Sequence, residues 1–265
     1  MNKPIIQSGL ILIYTSLLIC SVSCGPNYKA KCEEYNRKYQ DNIKYVNLSD
    51  FQESEPLKFE KTGLNFADGI IDMEIIDSTL LLSSRVDSMN LILTNINNFD
   101  RQQKIIKRGK QDNQCLNVSD IIPGIKKNHF LTFDITLRKL FEFDLNEIRH
   151  GRLAPEKITE FKNEKIKGIK SPAQLSDGSF VATTYFADDC RYLRFTDEDS
   201  ISKKIGELPP QPEGWPEATP ENKIRPMSYS ANLKKQVGSD DIVIAYTTTP
   251  RIEIYSHDKL RKTIS

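Results

Sequence analysis

Cys24 is the residue whose chemistry the sequence constrains most. It ends the stretch Ser21-Val22-Ser23-Cys24, after a short apolar run over residues 5–19 preceded by Lys3 as the only charge. A small residue directly before a cysteine at the end of such a run is the pattern of a secretory leader cleaved at a bacterial lipobox. The cysteine thiolate is the nucleophile that takes up the lipid. Several acyl chains then hold the protein to a membrane, because a single chain binds only marginally. The run is too short to span a bilayer core, which takes about 20 apolar residues. Ser21 stands where lipoboxes usually carry an aliphatic residue, and Cys20 fits less well because bulky Ile19 precedes it. The expectation is a leader over residues 1–23, lipid attachment at Cys24, a tether over 24–50 and one folded domain over 51–265.

Other residues of suitable type are spread along the chain. Asp188-Asp189-Cys190-Arg191 follows the strand-like "ATTYF", which ends with Tyr185 and Phe186. Two adjacent carboxylates suit a cation or acid–base work. Neighbours on an extended strand point to opposite faces, however, and a solvated turn is the preferred reading. The segment "GELPPQPEGWPEATPENKIRPM" holds six of the 13 prolines and the only tryptophan, Trp215. Proline lowers the entropy lost when a loop orders, and an indole offers an apolar face with one N–H donor. This loop would stack on a sugar ring or dock a protein; the plainer alternative is a stiff connector whose Trp215 covers the core. Trp215, Tyr185 and Arg191 are therefore the candidate ligand-binding residues.

No catalytic residue is assigned. The chain lacks G-x-S-x-G, H-E-x-x-H and a phosphate-binding glycine loop, and "TDEDS" lacks the calcium-loop pattern. His129, His150 and His257 are scattered and no C-x-x-C occurs, so neither a metal site nor a cofactor is expected. With 37 Lys plus Arg against 36 Asp plus Glu, no overall field favours nucleic acid. The most basic stretch, "RQQKIIKRGK", reads as a solvated hairpin end without stacking aromatics. Removing the leader and lipidating Cys24 leaves Cys32, Cys115 and Cys190, too few for a disulfide framework; one bridge, such as Cys115 with Cys190, stays open.

The elements that would position these residues are strands. Apolar stretches recur as "STLLLSS", "NHFLTFD", "GSFVATTYF" and "DDIVIAYTT", each followed by a partner: "NLILTNI", "KLFEFDL", "RYLRFTD" and "PRIEIYS". Alternating β-branched and aromatic residues between turn signals are strand chemistry. Taking Leu93, Phe141, Leu193 and Ile252 as equivalent, the intervals are 48, 52 and 59 residues. Strand pairs at that spacing predict propeller blades, which must stack because none buries its own faces alone. A sandwich or barrel with coincidental spacing is the alternative. One short helix is predicted within "FDLNEIRHGRL", stopped by Gly151.

Three stretches, "FLTFDITLRKLFEFDLNEI", "SPAQLSDGSFVATTYF" and "RYLRFTDEDSISKKIGELPP", resemble the TolB-like six-bladed β-propeller lipoproteins of Gram-negative envelopes. The resemblance implies an exported, lipid-anchored propeller and brings no catalytic residues with it. Two departures stand out. "IIKRGKQDNQC" replaces the Gly-Pro-rich loop common after the first recognisable blade, and the length allows only four to five blades. The expected fold is all-β and propeller-like. The expected function is a non-catalytic binding or scaffolding module, exported and lipid-anchored to the envelope, with the periplasmic or surface face of the outer membrane as its expected location. Its expected partners are the membrane, through the lipid, and an envelope protein or glycan, with no nucleic acid. The alternative is a propeller-type hydrolase acting on glycans or peptides.

Overall fold

Strands apolar on both faces must be covered on both faces, and the chain achieves this by stacking sheets. The computed structural model describes residues 30, 33–34, 37–38, 43–44, 69–85, 88–163, 166, 168–184, 190–208, 230–247 and 251–264. After β1 (Ile43–Lys44), four strands form blade 1: β2 (Ile70–Ile76), β3 (Thr79–Ser84), β4 (Met89–Asn95) and β5 (Asn98–Lys107). Blade 2 comprises β6 (Val118–Pro123), β7 (His129–Asp134), β8 (Lys139–Asp144) and β9 (Lys157–Glu160). Blade 3 comprises β10 (Ile169–Gln174), β11 (Phe180–Thr184), β12 (Tyr192–Phe195) and β13 (Ile201–Ile205). Blade 4 comprises β14 (Ala231–Lys235), β15 (Ile242–Tyr246), β16 (Ile252–Ser256) and β17 (Lys259–Ile264). Each blade is an antiparallel sheet in simple sequence order, and the four sheets form a ring, a four-bladed β-propeller.

The expected all-β propeller is thus the fold, with four blades among the described residues. All eight apolar stretches picked out in the sequence are the second and third strands of their blades. First strands lie innermost, with β6 against both β2 and β10, and β10 against β14. Fourth strands form the outer edges and carry lysine and arginine, as in "ISKKI" and "KLRKTI". Charged edges of this kind resist strand addition from other chains. The stretch "RQQKIIKRGK" proves to be mostly the outer strand β5, whose Ile105 and Ile106 are buried. On blade 4, β1 pairs parallel with β17 through Ile43–Thr263 and Lys44–Ile264, so part of the segment expected as tether covers an edge.

Period-two alternation sends neighbouring side chains into different seams. On β11, Phe180 and Ala182 pack toward blade 2 while Val181 packs toward blade 4. Three apolar cores result. Leu81, Leu91, Phe130 and Phe143 help fill the seam of blades 1 and 2, and Phe133, Phe161, Phe180 and Phe195 that of blades 2 and 3. Val181, Tyr192, Ile244 and Tyr255 help fill the seam of blades 3 and 4. Between blades 4 and 1 the described residues form no apolar core; Lys234 Nζ lies 3.9 Å from Asp72 Oδ1 there.

The helix α1 (Leu145–Arg149) falls within the predicted stretch. Asp144 caps it by accepting from Asn146 N at 2.7 Å, and Gly151 follows the C-cap His150 at φ +92°, a conformation that glycine adopts freely. Leu145 and Ile148 are buried in the first seam, so α1 contributes to the core as well as to the rim. No helix among the described residues is long and apolar enough to cross a membrane.

Candidate functional site at the propeller axis

Innermost strands converge on the axis, and each carries a charge there: Asp72 on β2, Asp120 on β6, Lys170 on β10 and Lys234 on β14. The carboxylate of Asp120 feels the other three electrostatically, which places two acids and two ammonium groups in one cluster. Asp72 also ties adjacent blades together, its Oδ2 accepting from Ile121 N at 2.8 Å. Ser119 Oγ donates to Asp120 Oδ2 at 2.6 Å. Burial pushes the Asp120 carboxyl up to about 6, with Asp72 adding to the rise and Ser119, Lys234 and Lys170 opposing it. The cluster reaches solvent, since the Lys234 side chain is 64% exposed. Carboxylates and ammonium groups side by side suit a ligand bearing both charges, and a carboxyl titrating near neutrality can also hold or release a proton.

Arg191 lies in the seam of blades 3 and 4, immediately before β12, where its side chain is 2% exposed. Its Nη2 sits 3.3 Å from Glu253 Oε1, and its guanidinium stacks over the Tyr246 ring at 5.1 Å. Arg251 reaches the same Glu253 oxygen from Nη2 at 2.6 Å and from Nε at 2.8 Å. The Tyr246 and Tyr255 hydroxyls donate to Glu253 Oε2 at 2.8 and 3.0 Å. Burial, above all, pushes both phenols well above their ordinary range, so they remain donors. Gly206 closes over this cluster at φ +69°, where a Cβ would meet Arg191 Cγ at 2.5 Å.

Cys24, Tyr185, Asp188, Asp189 and Trp215 lie outside the described residues. Cys115 and Cys190 are both buried thiols in different seams, so the bridge left open between them is not formed. Burial, reinforced by Asp134, pushes the Cys115 thiol up to about 12, leaving it protonated and inert. The four axial charges escaped sequence reasoning because the innermost strands, such as "VSDIIP" and "ANLKK", do not alternate cleanly. His129 also proves not to be isolated, since Asp144 and Glu156 stand beside it.

No protein-family model matches the chain, and no curated protein matches it. Solved structures do resemble it. A presumed exported protein of Bacteroides fragilis NCTC 9343 is 14% identical with a TM-score of 0.55, over 84% of this chain. This chain spans 60% of that protein's length. The β-propeller domain of Cps50 (Swd1) from Myceliophteria thermophila is 9% identical, with a TM-score of 0.48 over 77% of this chain and 57% of that one. Apo AztD from Citrobacter koseri is 13% identical, with a TM-score of 0.43 over 74% of this chain and 47% of that one. At these identities the first likeness speaks for the propeller fold alone.

Proposed function

We propose that the protein is a lipid-anchored, extracytoplasmic β-propeller that binds an envelope protein or glycan without turning it over. The observation that carries the binding reading is the axial quartet of Asp72, Asp120, Lys170 and Lys234, paired charges on four inner strands that open to solvent at Lys234. Export and anchoring are supported by the leader-like pattern over residues 1–23 ahead of Cys24, by the resemblance to TolB-like envelope lipoproteins, and by the exported character ascribed to the Bacteroides fragilis protein. That family has six blades where four are described here. Trp215 and Tyr185 would supply the apolar contacts for the ligand. Arg191 would act by position, fixing the strand that follows residues 185–189.

Two experiments test this reading. Cys24→Ala should abolish palmitate labelling and release the protein from membranes; continued labelling would sink the anchoring. Saturable binding to one member of a glycan and peptide panel, lost in Lys234→Ala and Trp215→Ala variants that still fold, would support the module. Binding unchanged in both variants would move the site elsewhere.

One observation favours hydrolysis as a second reading. Asp120, raised to about 6, sits near a second carboxylate, Asp72, in a different environment. Such a pair can divide into acid and base. Turnover on the same panel, lost in Asp120→Asn, would favour the enzyme.

A further inference from the structure

We propose that His129, Asp144 and Glu156 on blade 2 form a binding site for a divalent transition-metal ion of the zinc type. His129 opens β7 and Asp144 closes β8, and the antiparallel register sets them directly opposite each other. Glu156 joins them because the connection from β8 to β9, which contains α1, runs over residues 145–156. In the other blades the corresponding turns are short: 96–97, 196–200 and 257–258. Glu156 N donates to Glu142 O at 2.8 Å, which fixes the returning chain against β8.

The donor atoms suit a small ion. His129 Nε2 is 3.3 Å from Glu156 Oε2 and 4.0 Å from Asp144 Oδ2, and all three lie within 4.8 Å of one another. A tetrahedral ion with bonds of about 2.0–2.2 Å holds its donors about 3.4 Å apart. One edge of that tetrahedron is therefore in place, and small carboxylate rotations close the others.

Groups outside the trio aim the donors. His129 Nδ1 is 3.1 Å from Lys127 O, and a carbonyl only accepts, so Nδ1 carries hydrogen and Nε2 turns toward the carboxylates. Asp144 Oδ1 is occupied by the helix cap, leaving Oδ2 for the ion. Outer partners of this kind fix ligand orientation in metal sites. Gly124 tightens the same turn: its N donates to His129 O at 2.9 Å, and a Cβ there would lie 2.9 Å from that oxygen. Nε2 faces the Asp144 and Glu156 carboxylates, an arrangement of donor atoms that a bound cation satisfies. The side chains are 14%, 19% and 36% exposed, so an ion can enter and a fourth position stays open to solvent. An imidazole among carboxylates favours zinc-type ions over calcium or magnesium.

The test is calorimetric titration of Zn²⁺ into the full chain, purified in detergent and stripped of metal, with the Co²⁺ absorption spectrum as a second readout. One equivalent should bind, and His129→Gln, Asp144→Asn and Glu156→Gln should each weaken it roughly ten-fold or more. Asparagine still caps a helix, so Asp144→Asn separates ligand loss from misfolding, with circular dichroism as the check. Zinc affinity unchanged in all three variants overturns the proposal by placing the ion elsewhere. Absence of saturable zinc binding also overturns it.

Discussion

Glu253 on blade 4 holds Arg191 of blade 3 at 3.3 Å, with both side chains sealed from solvent. Two guanidinium groups and two tyrosine hydroxyls converge on this one carboxylate. Removing one partner from a buried ion pair leaves an uncompensated charge and costs about 3–5 kcal/mol. Glu253→Ala should therefore lower unfolding free energy by an amount of that order in urea titrations. A loss below about 1 kcal/mol would show that the seam does not depend on the pair.

Asp134 performs a similar task between blades 1 and 2. One oxygen accepts from Leu116 N at 2.6 Å and Asn117 N at 3.2 Å, the other from Thr136 N at 2.8 Å and Leu137 N at 2.9 Å. The residue is fully buried, so Asp134→Ala leaves backbone donors unmet, at about 1–3 kcal/mol each before relaxation. We expect Asp134→Ala to destabilise by about 3 kcal/mol or more and Asp134→Asn to recover part of that, read from thermal melts.

Gly206 and Gly178 separate steric from conformational cost. Both have positive φ, +69° and +86°, but a Cβ on Gly178 meets nothing within 4 Å whereas one on Gly206 meets Arg191 and Tyr255. Gly178→Ala should cost only the left-handed backbone term, about 1–2 kcal/mol. Gly206→Ala should cost clearly more; equal losses would mean that the cluster below Gly206 yields easily.

Asp120 makes stability depend on pH. Its carboxyl is raised from 3.8 to about 6 in the folded protein, so the folded state binds the extra proton between those values. Its contribution is fully present below about pH 4 and is lost as pH rises through about 6. Asp120→Asn should therefore match the parent protein near pH 4 and melt a few degrees higher at pH 7. A parent protein more stable than Asp120→Asn at pH 7 would contradict the assigned direction.

The sequence revealed the middle strands of each blade because they are buried on both faces and read as apolar runs, as in "HFLTFD" and "KLFEFD". First strands were not legible, since β2, β6, β10 and β14 turn charged residues toward the axis in the midst of apolar ones. Outer strands such as "ISKKI" read as solvated polar sequence. The axial site was therefore hidden on the strands with the least regular pattern. His129 and Asp144 were legible in principle, as the register of a hairpin turning at residues 135–138 pairs them. Glu156 was not, because only the fold shows where a twelve-residue connection returns. Arg191 was singled out in the sequence, but nothing in "DDCRYL" announces a partner in the next blade.

Four stacked blades with shared apolar seams should unfold as one unit, even though among the described residues the seam of blades 4 and 1 carries an ion pair rather than a core. Scanning calorimetry of the full chain measures this directly. The ring predicts a single transition whose calorimetric and van't Hoff enthalpies agree. A calorimetric enthalpy well above the van't Hoff value, or separate transitions, would mean that the blades melt independently and would contradict the ring as one rigid binding platform.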